Sequence, residues 1–230
     1  MTSSVQAVFF DLFGTLLSLA PLDDACERIA PGRGAELAAR WRARQLEASW
    51  LRTAMDRWAD FDIVTHDALL STLDELGIAA PADVGRLADA FTELPLAGGA
   101  ADAVSALREA GIATGILTNA SSATLARVVP RLGVPIDHAL SVDAARAFKP
   151  DPRVYGLAVE ATGLAAGDIG FVTANGWDAA GAGAFGFRVA WLRPNPSAIM
   201  PAVGAPEPVV TDWTGVPTVF TGSGGQSSRV

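Results

Sequence analysis

Residues 5–10, VQAVFF, form a short apolar run that stops at an acidic residue, Asp11. A run without polar alternation predicts a strand buried on both faces, as in a parallel sheet. Gly14, within the segment Asp11 to Leu16, breaks the strand. From about Asp23 to Ala90 the periodicity becomes helical. The stretch ELAARWRARQLEASWLRTAMDRW (36–58) has strong helix formers, no Gly or Pro, and apolar residues at three- and four-residue steps. A second stretch, THDALLSTLDELG (65–77), opens on Thr65 as a cap and closes on Gly77. A third, ADVGRLADAFTEL (82–94), stops before Pro95. Three helices with no strand between them predict a helical insertion.

Beyond Pro95 helices and strands alternate. Residues 100–111, 121–133, 151–163 and 178–186 read as helices, with Pro130 ending or kinking the second. IATGILT (112–118), HALSV (138–142), IGFVT (169–173) and RVAWL (188–192) read as buried strands. Alternation of this kind predicts βαβ units, hence an α/β fold with a doubly wound parallel-sheet (Rossmann-like) core. The expected division is a core of residues 1–16 and 95–221 and a helical cap at 17–94. The apolar-poor GSGGQSSRV at 222–230 is an expected disordered tail. No internal repeat is present.

Composition narrows the functional classes. Half of the 230 residues are hydrophobic and 18% are charged, which excludes a disordered or fibrous chain. The net charge of −8 argues against nucleic acid or an anionic membrane as partner. No stretch approaches the roughly 20 apolar residues that span a bilayer. The opening MTSSVQAVFF lacks the basic start of a signal peptide. Cys26, the single cysteine, allows no intrachain disulfide and fits a reducing compartment, so a cytoplasmic location is expected.

In an open parallel sheet, ligands bind beyond the carboxyl ends of the strands. Asp11 follows VFF, Thr118 and Asn119 follow GIL, Lys149 lies just past LSV, and Thr173, Asn175 and Asp178 follow GFV. Any one of these is accounted for as a polar cap of a turn or helix. Their joint occurrence at four strand ends points to a site.

The segments FFDLFGTL, LTNAS, FKPD and VTANGWD resemble, in order and spacing, the four signatures of the haloacid dehalogenase superfamily. The likeness spans nearly the whole chain apart from the tail. Phosphatases and mutases of that superfamily carry a second Asp two residues after the nucleophile. Here that position is Phe13, and a phenyl ring cannot transfer a proton. The chain instead resembles the (S)-2-haloacid dehalogenases, also in the cap segments RWRARQLEASWLR and DRWADF. The implied reaction is hydrolytic displacement of halide from short (S)-2-haloacids, with inversion, through an aspartyl ester. Two alternatives stay open, a small-molecule phosphatase and a non-catalytic acid-binding relative.

The resemblance implies Asp11 as nucleophile, and a buried carboxylate needs a nearby cation to stay ionised, for which Lys149 is the candidate. A surface lysine before a Pro-Asp turn is the other reading of Lys149. Arg42 is implied at the carboxylate or halide, whereas Arg40, Arg44 and Arg52 read as a solvated helix face. Thr118 and Asn119 are implied at substrate oxygens, Thr15 at the Asp11 loop, and Tyr155 as support for the carboxylate–lysine cluster. Asp178, with Asn175 and Thr173, is implied to orient Lys149 and the hydrolytic water, while Asp178 also reads as a helix N-cap. Leu12, Phe13, Leu46, Phe61 and Trp177 match an apolar substrate pocket, and Leu46 reads equally well as core. Four positions depart from the usual pattern: Phe13 for Tyr, Ala43 for Gln, and Thr118 and Thr173 for Ser. No metal or other cofactor is implied, and His66 and His138 read as structural. The expected partners are a small anionic haloacid, water, and a second copy of the chain in a homodimer.

Overall fold

The computed structural model describes residues 5–80, 84–193 and 208–221. The first apolar run forms β1 (Ala7–Phe10), with all four residues buried. It pairs in parallel with β2 (Ala113–Thr118) on one side and β4 (Ile169–Thr173) on the other. β3 (His138–Ser141) extends the first flank, and β5 (Arg188–Leu192) and β6 (Val209–Val210) the second. The sheet order is β3-β2-β1-β4-β5-β6, parallel throughout. The chain winds outward from β1 in one direction and from β4 in the other. The β1/β4 border is therefore the switch point, where crossovers diverge and leave a crevice at the carboxyl edge. The register sets Phe10 beside Ile116 and Val172, so Asp11, Thr118 and Thr173 emerge at nearly the same level.

Four α-helices lie between β1 and the helix preceding β2: α1 (Ala20–Ile29), α2 (Gly34–Ala54), α3 (Phe61–Glu75) and α4 (Val84–Asp89). The last continues as a 3-10 turn at Ala90–Glu93. Sequence periodicity had resolved three helices here. α1 is short and carries Pro21 in its first turn, and it buries only Leu22, Ala25 and Cys26. The α2–α3 contact is built on Trp41, fully buried, whose indole N–H donates to the Thr65 carbonyl at 2.8 Å. The expected start of α3 at Thr65 is corrected. Asp60, in extended conformation, caps the helix by accepting from the Ile63 N–H at 2.9 Å. Thr65 lies inside the helix, its hydroxyl donating to the Phe61 carbonyl. Of the expected third helix, residues 82 and 83 lie outside the described residues.

The later helices are α5 (Ala100–Glu109), α6 (Ser122–Val128), α7 (Pro152–Thr162), α8 (Gly176–Phe185) and α9 (Val216–Thr221). Pro130 ends α6 as expected, in a 3-10 turn. Asp151 caps α7 and left-handed Gly163 closes it. β6 and α9 went unassigned from sequence because neither is long enough to show a period. The 222–230 segment lies outside the described residues. No described helix is long and apolar enough to cross a membrane.

Candidate active site

The loop after β1 turns through Gly14, whose φ of +78° belongs to the left-handed region that side chains disfavour. The turn brings Thr15 back under the carboxylate that precedes it. Thr15 Oγ1 donates to Asp11 Oδ2 at 2.9 Å and accepts from the Ala174 N–H at 2.9 Å, tying the β1 loop to the β4 loop. Asn175 Nδ2 donates to the same Asp11 oxygen at 2.8 Å. Asp11 Oδ1 receives the Lys149 ammonium at 3.1 Å. Asp11 is thus held at both oxygens and is 5% exposed.

Lys149 is completely buried, with its ammonium 3.1 Å from Asp11 and 2.9 Å from Asp178 and 4.8 Å from the Phe171 ring centroid. The surface reading of Lys149 is excluded by this burial. Its backbone is anchored from two directions. The N–H donates to Asn119 Oδ1 at 3.0 Å, and the carbonyl accepts from the Trp50 indole at 3.1 Å. Thr53 Oγ1 accepts the Phe148 N–H at 3.0 Å. Trp50 and Thr53 both belong to α2, so the helical insertion holds the loop that delivers the lysine. Sequence reasoning missed both anchors.

Asp178 is fully buried at the third position of α8. Its expected capping role is not observed: the cap position is Asn175, which makes no capping bond, and the Asp178 carboxylate turns inward. Oδ2 meets Lys149, and Oδ1 accepts from the Tyr155 hydroxyl at 2.8 Å. Burial pushes the Asp178 carboxyl up to about 6, opposed by Lys149 and the Tyr155 bond and reinforced by Asp11. Burial beside Asp178 likewise raises the Tyr155 phenol, which stays a donor. Gly181 makes this contact possible, since a Cβ there would lie 2.5 Å from the Tyr155 hydroxyl.

Among the described residues Asn175 and Thr173 make no bond to Lys149. Asn175 serves Asp11, and Thr173 Oγ1 accepts the Asn175 N–H at 3.1 Å, closing the turn after β4. Thr118 Oγ1 similarly accepts the Ala120 N–H at 3.1 Å, and among the described residues Asn119 Nδ2 has no partner.

Arg42, on α2, is partly buried, and desolvation lowers its guanidinium below the usual arginine range, opposed by the nearby charges of Asp11 and Asp178. Among the described residues no carboxylate lies within ion-pair distance of it. Arg40 and Arg44 instead pair with Glu75, and Arg52 with Asp67, on the helix surface as expected. Among the described residues Arg42 bonds one side chain, Gln45, at 2.7 Å. Ala43, where the resemblance expects an amide, is exposed. Gln45 lies three residues along α2 from Arg42, a spacing that places both on one helix face and could have revealed it.

Leu12, Phe13 and Phe61 are buried. Phe13 and Phe61 line a cleft of about 110 Å³ together with Thr65 and Phe91, and Leu12, Leu46 and Trp177 are not on its wall. Phe13 packs edge-on against Phe91, with centroids 5.1 Å apart. Trp177 packs edge-on against Trp50 at 5.7 Å, and Leu46 is partly exposed. Among the described residues no group of three or more His, Cys, Asp or Glu side chains is arranged to hold a metal ion.

A buried carboxylate backed by an ammonium and a second carboxylate, at the switch point of a doubly wound sheet, is the outline of a hydrolase that works through an acidic nucleophile. The sequence profile of haloacid dehalogenase-like hydrolases matches residues 5–186. An (S)-2-haloacid dehalogenase of Pseudomonas putida is 39% identical over 83% of this chain and 85% of its own. Another, from Pseudomonas sp. strain YL, is 36% identical over 98% of each chain. The solved L-2-haloacid dehalogenase of Xanthobacter autotrophicus with chloropropionic acid covalently bound superposes with a TM-score of 0.87. It is 33% identical, over 96% of this chain and 100% of that one. The chain belongs to the haloacid dehalogenase-like hydrolases, within the (S)-2-haloacid dehalogenases, a family acting on carbon–halide bonds.

Proposed function

We propose that the protein hydrolyses short (S)-2-haloacids to (R)-2-hydroxyacids through an ester on Asp11. The observation that carries this reading is the pairing of a buried Asp11, held at both oxygens, with a neighbouring arginine that has no carboxylate partner among the described residues. An Asp11 oxygen attacks the halogen-bearing carbon from the face opposite the halogen. The new C–O bond forms as the C–halogen bond breaks, and the halide leaves with both electrons. One backside displacement inverts the carbon. Water then attacks the Asp11 carboxyl carbon and the acyl C–O bond breaks, so the product keeps the aspartate oxygen and Asp11 gains one from solvent.

Arg42 and the Asn119 amide meet the negative charge of the substrate carboxylate and departing halide. Lys149 keeps Asp11 ionised, and Asp178 holds Lys149 and the water of the second step. Thr15 and Asn175 fix the rotation of the Asp11 carboxylate, and Tyr155 fixes that of Asp178. Thr118 and Thr173 hold the backbone turns. Leu12, Phe13, Leu46, Phe61 and Trp177 supply apolar surface around the substrate. Helices α1–α4 act as the cap, and the exposed Leu51, Met55, Ile63 and Leu70 suit a homodimer through α2 and α3.

Halide release from (S)-2-chloropropionate, in buffer with EDTA, is the direct assay. Release from the (S) but not the (R) enantiomer is expected. Magnesium-dependent cleavage of p-nitrophenyl phosphate without halide release would replace this reading with a phosphatase.

The pH dependence follows from Asp178. The charged groups facing it are Lys149, Asp11 and Arg42, with the Tyr155 hydroxyl. Its carboxyl is raised to about 6, so kcat/KM should fall as pH drops through that value and Lys149 loses an ionised partner. Stability moves the other way. A raised carboxyl binds its proton more tightly when folded, so the cost of burying the charge is present above about 6 and relieved as pH falls toward 4. Tyr155→Phe removes a bond that lowers the Asp178 carboxyl, and its acid limb should move to higher pH. An unmoved limb in a pH–rate profile would show that another group sets it.

A further inference from the structure

Gln45 is 1% exposed, yet it is an amide in the middle of an apolar helix contact. Both ends are used. Its Oε1 accepts from an Arg42 terminal nitrogen at 2.7 Å, and its Nε2 donates to Thr65 Oγ1 at 2.6 Å. Thr65 has one hydroxyl proton, and it goes to the Phe61 carbonyl one turn back, at 2.6 Å. Thr65 therefore can only accept from Gln45. Reversing the amide would set its NH2 against the guanidinium, donor to donor, and its oxygen against Thr65 Oγ1, acceptor to acceptor, because the Thr65 proton is committed to the Phe61 carbonyl. The orientation of Gln45 is fixed at both ends.

The consequence reaches Arg42. Its guanidinium is a five-donor fork on a long flexible stem, and no carboxylate among the described residues anchors it. A glutamate at position 45 would hold the fork but cancel its charge. A neutral amide oxygen takes one N–H and leaves the full positive charge and the other donors for a ligand. We infer that Gln45 and Thr65 are positioning residues, a relay from the α3 backbone that aims an uncancelled Arg42 charge at the anionic group of the substrate. The inference rests on the reading of Arg42 as the substrate's anion partner. Since the relay spans α2 and α3, the same bonds set substrate affinity and the packing of the two helices at one point.

The test is steady-state halide release from (S)-2-chloropropionate by the full chain, with unfolding midpoints for every variant. Gln45→Met keeps the length and suits the apolar surroundings but loses both bonds. Its KM should rise about tenfold, the loss typical of a hydrogen bond to a charged group, with kcat less affected. Thr65→Val should give a smaller rise in KM, and Thr65→Ser should restore it to within about twofold. In an Arg42→Ala background, Gln45→Met should change kcat/KM by less than about twofold, because the group it positions is gone. Wild-type turnover with Gln45→Met and Thr65→Val unchanged would overturn the relay alone. So would an undiminished Gln45→Met effect in the Arg42→Ala background, which marks a packing role. If Gln45→Met does not fold, the Thr65→Val and Thr65→Ser pair reads the same relay. No halide release from the wild-type chain overturns the relay together with the proposed function.

Discussion

Lys149→Met is expected to reduce halide release by roughly 1,000-fold or more and to destabilise the fold by about 3–5 kcal/mol at pH 7. Methionine matches the stem of lysine in length and fits the same apolar channel, so the change is close to a removal of charge alone. The ammonium sits between the Asp11 and Asp178 carboxylates, 3.1 and 2.9 Å from them, in a site with almost no solvent. Without it the two carboxyls repel, and at least one takes a proton. Asp178, already pushed up to about 6 by burial, takes that proton, and Asp11 loses the ammonium that holds its Oδ1 in place for attack, which accounts for the kinetic loss. The stability loss should shrink at pH 5, where protonation removes the unpaired charge. Urea unfolding of wild type and variant at the two pH values measures this. A constant difference at both would show that the lysine contributes packing rather than charge.

Asp11→Asn is the second large effect, and its signature is the opposite combination. Activity should fall below detection, because an amide does not form the ester. The fold should be retained, since the variant leaves one ammonium opposite one carboxylate, Asp178. Thermal unfolding within a few degrees of wild type, together with no halide release, is the expected pair of observations. Residual turnover near the wild-type rate would move the nucleophile elsewhere.

The parts of the structure legible in the sequence are those written as burial. β4 and β5 occupy 169–173 and 188–192 as read, because a strand covered on both faces is apolar throughout. The strand ends then located Asp11, Lys149 and Asp178 within reach of one another, and the packed structure brings them together. Partners of polar groups were less legible. Thr65 and Asp178 sit where a cap is plausible, and only the three-dimensional packing shows Thr65 inside α3 and Asp178 turned toward Lys149. Asn175 bonds Asp11 rather than Lys149, and Thr173 closes the turn after β4, partners that a strand-end position does not reveal. Gln45, Trp50 and Thr53 left no motif, since an amide, an indole or a hydroxyl on a helix face acquires its function from what packs across it. β6 and α9 are too short to be separated from loop.

The ester on Asp11 is the central chemical claim, and isotope placement tests it most directly. Repeated turnover of (S)-2-chloropropionate in 18O-water should enrich the peptide containing Asp11 in 18O. In a single turnover with enzyme in excess, the lactate released should carry unlabelled oxygen at C2 while the label sits on Asp11. Label appearing in the C2 hydroxyl of lactate during that first turnover, with Asp11 unlabelled, would contradict it, because water would then have displaced the halide without passing through the enzyme.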